Sequence, residues 1–375
     1  MLFNSIEFAA FFLAVFGLYH ALGIAGWRAQ NWLLLVASYF FYGFWDARFL
    51  ALIALSTTIA YVAGRLIHDA HTRGCPASAK RWLVLSLAVD LGMLGTFKYF
   101  DFFSASFAAL LRALGLPVTP LLLDVVLPAG LSFYTFQTMG YAIDVHRRRI
   151  QPVRNLRDFA LFVAFFPQLL AGPIETAKAL MPQLQQTRRL TADQLRTGAW
   201  LIAWGLFKKV FVSDNLAPYV RWGFSHPEDL DSFGVYLVAV SLAVRLYCDF
   251  SGYSDMARGL GKLLGIELSR NFDLPFFARR PSEFWRRWHM TLNRWFRDYL
   301  YLGIRRRFMR AGAPRERAIA LATLATFSLM GLWHGANWTF VVWGLYHGLF
   351  LVFERRGVAA WLAARPAARH RARAA

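Results

Sequence analysis

Cysteine is nearly absent from this chain: Cys75 and Cys248 are the only two in 375 residues. They stand far apart and outside any C-x-x-C spacing, which leaves disulfide scaffolds, redox dithiols and thiolate zinc sites without support. Acidic residues are scarce, 22 against 42 lysines and arginines, for a formal charge of +20. In a soluble chain that excess would suggest nucleic acid. Here it gathers in short loops between apolar runs, where the positive-inside rule accounts for it, and no nucleic-acid partner is expected. The opening MLFNSIEFAAFFLAVFGLYHAL lacks a basic n-region and an A-x-A-like site. It is expected to be a retained membrane helix rather than a cleaved signal. No inverted internal repeat of the transporter kind is visible, and Gly259 and Gly261 in ARGLGKLLG lack the preceding strand that a phosphate loop requires.

What the chain has instead is apolar and aromatic surface: 57% hydrophobic residues, with 35 Phe and 14 Trp. That composition points to an all-α polytopic membrane protein of about nine transmembrane helices with added re-entrant and interfacial helices. The expected crossings are 6–24, 31–45, 49–63, 82–100, 121–145, 198–220, 233–247, 319–333 and 338–353. Segment 102–116 is expected to lie along the outer surface. Segment 159–171, with about thirteen apolar residues before Gly172-Pro173, is expected to be re-entrant. Basic loops containing Arg65, Arg73, Lys80 and Arg81, and then Arg147 to Arg149, mark the cytoplasmic side. The N-terminus is then outside and the C-terminus inside. Residues 1–354 read as a single membrane domain, and 355–375 as an Ala/Arg-rich cytoplasmic tail without fixed structure. Lys208 and Lys209 interrupt one span, either as an intramembrane site or by snorkelling to an interface.

Two stretches carry candidate chemistry. PSEFWRRWHMTLNRWFRDYLY, residues 281–301, reads as one amphipathic helix at the membrane boundary. Its aromatic stripe includes Trp285, and Arg286, Arg287, Arg294 and Arg297 lie opposite. His289 falls within the apolar stripe and is expected to point inward. GLWHGANW places His334 in a second apolar run, between the last two expected spans. A lone apolar-face histidine is often a satisfied structural group, but two of them, each flanked by Trp and by Gly or Arg, suggest one shared site. Burial favours the neutral imidazole, the form able to accept a proton. With no third ligand at normal spacing, no metal is expected there. His347 reads as packing or support, and His20, His68, His71, His146, His226 and His370 as solvated. Asp249 and Asp255, beside Gly252, are candidates for orienting imidazoles or lining a tunnel, although loop bonding is the commoner use.

FWRRWHMTLNRWFRDYLY followed by LMGLWHGANWTFVVWGLYHG resembles the membrane-bound O-acyltransferase family, in particular its alginate O-acetyltransferase branch. The resemblance also covers NWLLLVASYFFYGFWDARFL, LPAGLSFYTFQTMGYAIDVHR, FVAFFPQLLAGPI and YCDFSGYSDMARGLGKLLGI. It implies a ring of transmembrane helices around a thinned centre, where an intracellular acyl thioester meets an acceptor from outside. His334 matches the family's catalytic histidine and His289 its second characteristic polar position. Members of the branch continue past the position of Phe353 into further membrane helices. WHMTLN and SLMGLWHG are also similar to the D-alanyl-transfer protein of the teichoic acid pathway.

The expected activity is therefore O-acetyl transfer in the bacterial inner membrane. The donor would be acetyl-coenzyme A or another thioester, with no tightly bound cofactor. The acceptor would be an exported, alginate-like polysaccharide or a periplasmic esterase-like relay partner, with membrane lipid around the protein. Arg286, Arg287, Arg297, Asp249, Asp255, Trp285 and Asn337 are the candidates for binding the donor or lining the tunnel. D-alanyl transfer to teichoic acid is the alternative within the class, and a transporter or channel the alternative outside it.

Overall fold

A computed structural model describes residues 1–364, and among them there is no β-strand. In chain order the first helices are α1 Ile6–Ala21, α2 Trp27–Gly43, α3 Leu50–Thr72, α4 Pro76–Leu94, α5 Phe100–Ala113 and α6 Leu131–His146. Then come α7 Leu156–Ala164, α8 Phe166–Leu169, α9 Ala177–Leu184, α10 Ala192–Leu206, α11 Asp214–Ser225 and α12 Ser232–Leu263. The last five are α13 Pro281–Arg287, α14 Met290–Trp295, α15 Leu302–Arg310, α16 Arg315–His334 and α17 Trp338–Ala364. Among the described residues, four helical runs are long and apolar enough to cross a membrane: Ile6–Ala25, Ala47–Thr72, Pro76–Ala113 and Ser232–Leu263.

The chain divides into two compact units, one of residues 1–98 and 124–271, the other of 99–123 and 272–375. In the first, α7 from Asp158 onward and all of α8 are buried, with Phe159, Phe162, Phe165 and Phe166 fully enclosed. Nine residues of α helix reach only about 13 Å, well short of the hydrocarbon core. Protein groups meet several of the polar atoms at this segment. Ser38 Oγ accepts from Phe166 N at 3.1 Å, and Asp158 accepts from Asn31 Nδ2 at 3.0 Å and from Arg157 Nε at 2.8 Å.

Several expected boundaries move. Segment 102–116 belongs to α5, which continues α4 through a π turn at Gly95–Tyr99 as a single 38-residue run. The expected span 121–145 is helical only from Leu131, because Pro117, Pro120 and Pro128 interrupt the chain before it and Gly130 takes a left-handed conformation. The span at 233–247 extends through CDFSGYSDMARGLGKL into the 32-residue α12, which starts where Asp231 Oδ1 accepts from Gly234 N at 2.7 Å. Residues 355–364 of the expected tail belong to α17, while 365–375, His370 among them, lie outside the described residues.

Glycine inside a helix costs about 1 kcal/mol against alanine, so the glycines of α12 need a compensating contact. That contact is α10, which begins with a Thr191–Gln194 capping box. Gly198 and Gly205 sit two turns apart and face Gly259 and Gly252, so that the two backbones nearly touch. A Cβ on Gly205 would come within 2.6 Å of the Gly252 carbonyl oxygen, and one on Gly259 within 2.7 Å of that of Gly198. Below this seam the chain winds a π turn, Phe207–Ser213, that carries Lys208 and Lys209. Lys208 Nζ donates to Asp255 at 2.6 Å and to Ser251 at 3.1 Å. Lys209 pairs with Asp214 at 2.8 Å and Asp249 at 2.7 Å. Trp200 and Trp204 on the opposite side of α10, with Phe207 and Phe211 of the π turn, are exposed and stacked in series, as a lipid-facing stripe would be. Gly205→Ala is expected to push the two helices apart and lower stability by about 1–3 kcal/mol. Thermal unfolding in detergent would measure this, with Gly17→Ala, a helical position with open space around it, as the control expected to hold or raise stability.

Candidate active site

The second unit holds both singled-out histidines. The stretch expected to form one helix over 281–301 is broken. α13 ends at Arg287, Trp288 is extended, His289 is left-handed at φ 41° and ψ 56°, and α14 restarts at Met290. A π turn, Phe296–Tyr301, then leads into α15. A left-handed residue with a Cβ costs roughly 1–2 kcal/mol, so something must hold it there. Asn293 does so. Its Nδ2 donates to the carbonyls of Trp285 at 2.8 Å and Trp288 at 2.6 Å, with that of His289 at 3.3 Å. At about 1 kcal/mol per net hydrogen bond, these contacts offset the strain. The start of α13 is fixed separately, by the Glu354 carboxylate of α17. It accepts from Ser282 N at 2.9 Å and Ser282 Oγ at 2.7 Å.

The break turns His289 inward, where it is 1% exposed. It stacks on Phe272 with centroids 6.2 Å apart, and its ring is also 6.2 Å from Trp333. Trp333 in turn meets His334 at 4.9 Å. From His334 the rings continue through Trp343 at 5.3 Å to His347 at 4.8 Å, and on to Trp285 at 5.1 Å. Three imidazoles thus alternate with three indoles across α13, α16, α17 and the break. Burial, reinforced by the neighbouring His334, holds the His289 imidazole well below the usual histidine range and therefore neutral. His334 is exposed at the last residue of α16.

The hairpin of α16 and α17 sets where His334 stands. Cβ atoms on Gly331 and Gly344 would fall 2.1 Å from the carbonyl oxygens of Phe340 and Phe327 respectively, so only glycine allows the helices this close. Asn337 shapes the turn between them, its Oδ1 accepting from Thr339 N at 2.9 Å and Thr339 Oγ1 at 3.0 Å. Trp338 Nε1, donating to Ser106 Oγ at 3.1 Å, ties that turn to α5.

Beside the break lies a cleft of about 540 Å³, lined by Ser282, Trp285, Arg286, Asn293, Arg294 and Arg297 together with Met290, Phe327 and Leu351. Arg297 is engaged by Asp298 through Nε at 2.7 Å and Nη2 at 3.2 Å. Among the described residues Arg286 and Arg294 form no ion pair, and no carboxylate lines the cleft, which suits an anionic ligand.

A family model described as MBOAT, membrane-bound O-acyltransferase family, matches residues 147–375. The Probable alginate O-acetylase AlgI of Azotobacter vinelandii is 42% identical over 359 residues, covering 95% of this chain and 69% of the relative. The chain belongs to the membrane-bound O-acyltransferase family. A Peptidoglycan O-acetyltransferase of Helicobacter pylori is 35% identical over 86% of this chain and 64% of its own length. A Teichoic acid D-alanyltransferase of Streptococcus thermophilus is 32% identical over 62% of this chain and 57% of its own. This acyltransferase thus spans between about half and about seven tenths of the length of these relatives.

Of the residues singled out in the acyltransferase's sequence, His289, His334, Trp285, Arg286 and Arg297 fall in the second unit, around the ring cluster and the cleft. Arg287 does not line the cleft and is instead bound to Glu283 at 2.6 Å. Asn337 serves the α16–α17 turn. Asp249 and Asp255 belong to the first unit, each held by a lysine. His347 is drawn into the ring cluster, and Trp333, Trp343 and Asn293 were not recognised in the sequence. The spacing of Trp343 and His347, one helical turn apart, was the available signal for the first of these additions. Among the described residues no three His, Cys, Asp or Glu side chains gather as a metal would need.

His289 lies outside the four candidate spans, and its depressed basicity has a consequence for stability. Between the folded value and the unfolded value near 6.5, the unfolded chain binds a proton that the folded one does not. Stability contributed by the neutral imidazole is therefore present above about pH 6.5 and lost as pH falls below it. The apparent Tm should drop on acidification from pH 7 to 5, and His289→Gln should flatten that slope; equal slopes in the two proteins would refute the assignment.

Proposed function

We propose that this O-acyltransferase moves an acetyl group from a cytoplasmic thioester, acetyl-coenzyme A or its equivalent, toward an exported alginate-like polysaccharide or a periplasmic relay partner. The observation that carries the reading is the linked pair of imidazoles, buried His289 and exposed His334, joined through Trp333 beside an arginine-lined cleft. Similarity to an alginate O-acetylase supports the acetyl group and the polysaccharide as the acceptor class. In this reading the protein is a ring of about nine crossings in the inner membrane, with its N-terminus outside.

A thioester is already activated, so the enzyme has to supply a base, stabilisation of the oxyanion and alignment. His334 takes the proton from the acceptor hydroxyl as the oxygen attacks the thioester carbonyl. The carbonyl oxygen becomes an oxyanion, toward which neutral His289 donates an N–H. Collapse breaks the C–S bond, the acetyl group stays on the acceptor oxygen, and His334 returns its proton to the leaving thiolate. Such acid–base assistance is typically worth roughly a hundred- to ten-thousandfold. Arg286 and Arg294 hold the donor's phosphates in the cleft, and Trp285 closes its apolar side. Transfer of a D-alanyl group is the second reading, supported by similarity to the teichoic acid enzyme.

His334→Ala is expected to lower acetyl transfer from radiolabelled acetyl-coenzyme A by roughly two to four orders of magnitude while membrane insertion is unchanged. Polymer acetylation at the wild-type rate in that variant would overturn the role. Arg286→Gln combined with Arg294→Gln should raise the KM for the donor at least tenfold with a smaller change in kcat. Steady-state kinetics with the donor varied would detect it, and an unchanged KM would remove the cleft from the donor's path.

A further inference from the structure

A second basic pocket, in the first unit, has no part in the reaction above. It holds about 290 Å³ and is walled by His68, His71 and Thr72 of α3 and by Val145, Arg148, Ile150 and Gln151 at and after the end of α6. No carboxylate lines it. His68 and His71 were expected to be solvated, but His71 is fixed from both ring nitrogens. Nε2 stands 3.0 Å from the His146 carbonyl oxygen, and Nδ1 is 3.3 Å from Arg148 Nη2. An oxygen can only accept and a guanidinium only donate, so Nε2 carries the proton and Nδ1 receives one from Arg148. Arg148 is thereby held in place by a ring nitrogen rather than by a carboxylate.

The backbone adds an independent sign. α6 ends in a Schellman motif, with Arg148 N donating to Val145 O at 3.0 Å and Arg149 N to Asp144 O at 2.9 Å. The residue between cap and exit must be left-handed, a position that favours glycine, yet it is Arg148, at φ 57°. A strained conformation is kept where the side chain has work to do. The nearby carboxylates are committed or turned elsewhere: Asp144 pairs with Arg149 at 3.2 Å, and Asp69, next to His68, is not among the lining residues. Ile150 and Gln151 also wall an adjoining groove of about 490 Å³ that carries Arg154 and Lys178, again without a carboxylate.

We propose that the His68–His71–Arg148 pocket binds a phosphoryl group, with Arg148 as its cation and the Arg154–Lys178 groove receiving the rest of the ligand. The phosphoryl group comes from an anionic lipid headgroup or from a soluble phosphate.

The full chain, purified in neutral detergent, is heated in inorganic phosphate and in chloride at matched ionic strength and pH. It is heated again in nanodiscs of phosphatidylcholine with and without phosphatidylglycerol. Phosphate should raise Tm in the wild type and in Arg286→Gln, and the rise should fall at least twofold in Arg148→Gly. In chloride that variant should melt no lower than the wild type, because glycine relieves the backbone; Arg148→Gln repeats the charge removal without that relief. A rise dependent on Arg148 with free phosphate points to a soluble ligand, and one seen only with phosphatidylglycerol points to a lipid. Equal shifts with and without Arg148 in both arms, or no shift in the wild type in either, would overturn the proposal.

Discussion

A polar ring has to face inward from a segment whose other surface is rich in arginine, and the backbone meets that demand at one residue. Had residues 281–301 remained a single helix, His289 would have shared its face with Trp285 and Leu292 at fixed spacing. By turning left-handed between α13 and α14, the chain frees the imidazole from that spacing and delivers it to Phe272 and Trp333. The cost of the turn is met locally, by the Asn293 amide reaching back to the carbonyls that the break exposes. Because Trp285 and Asn293 also line the arginine cleft, the break sets the charged cleft beside the buried imidazole.

Close approach of backbones is the second constraint, and each unit meets it with glycine. The α10–α12 seam brings Lys208 and Lys209 within reach of Asp255 and Asp249, so Lys208 enters a largely buried ion pair while the Lys209–Asp249 pair stays open to solvent. Such pairs add little net energy, since desolvation consumes much of the Coulomb gain, but removing one partner would leave a costly orphan. The α16–α17 seam performs a different task. It draws His334 and His347 onto one shared indole, Trp343, and an added methyl at Gly331 or Gly344 would push the two helices apart and disturb that geometry.

The electrostatics of the two basic pockets follow one rule. Cations with carboxylate partners, such as Arg287, Arg297 and Arg149, hold structure together. Those without, Arg286 and Arg294 in one pocket and Arg148 in the other, face open volume. Net charge alone does not separate these groups; the partner of each arginine does.

The apolar runs, the basic loops, the all-helical class, the family and the two histidines were legible in the sequence, because each depends on composition or on a local motif. That the segment near Phe162 is too short to cross a bilayer was legible too; its burial within the protein was not. What only the tertiary structure decided depends on partners distant in the chain. The glycines of α12 read as punctuation until Gly198 and Gly205 stand against them. Asp249 and Asp255 looked available until the lysines some forty residues earlier engaged them. The break at His289 was hidden because FWRRWHMTLNRWF keeps helical spacing on both sides of it. Periodicity records which face a residue would occupy if a helix continued. Whether it continues is settled by hydrogen bonds and close contacts made after the chain has folded.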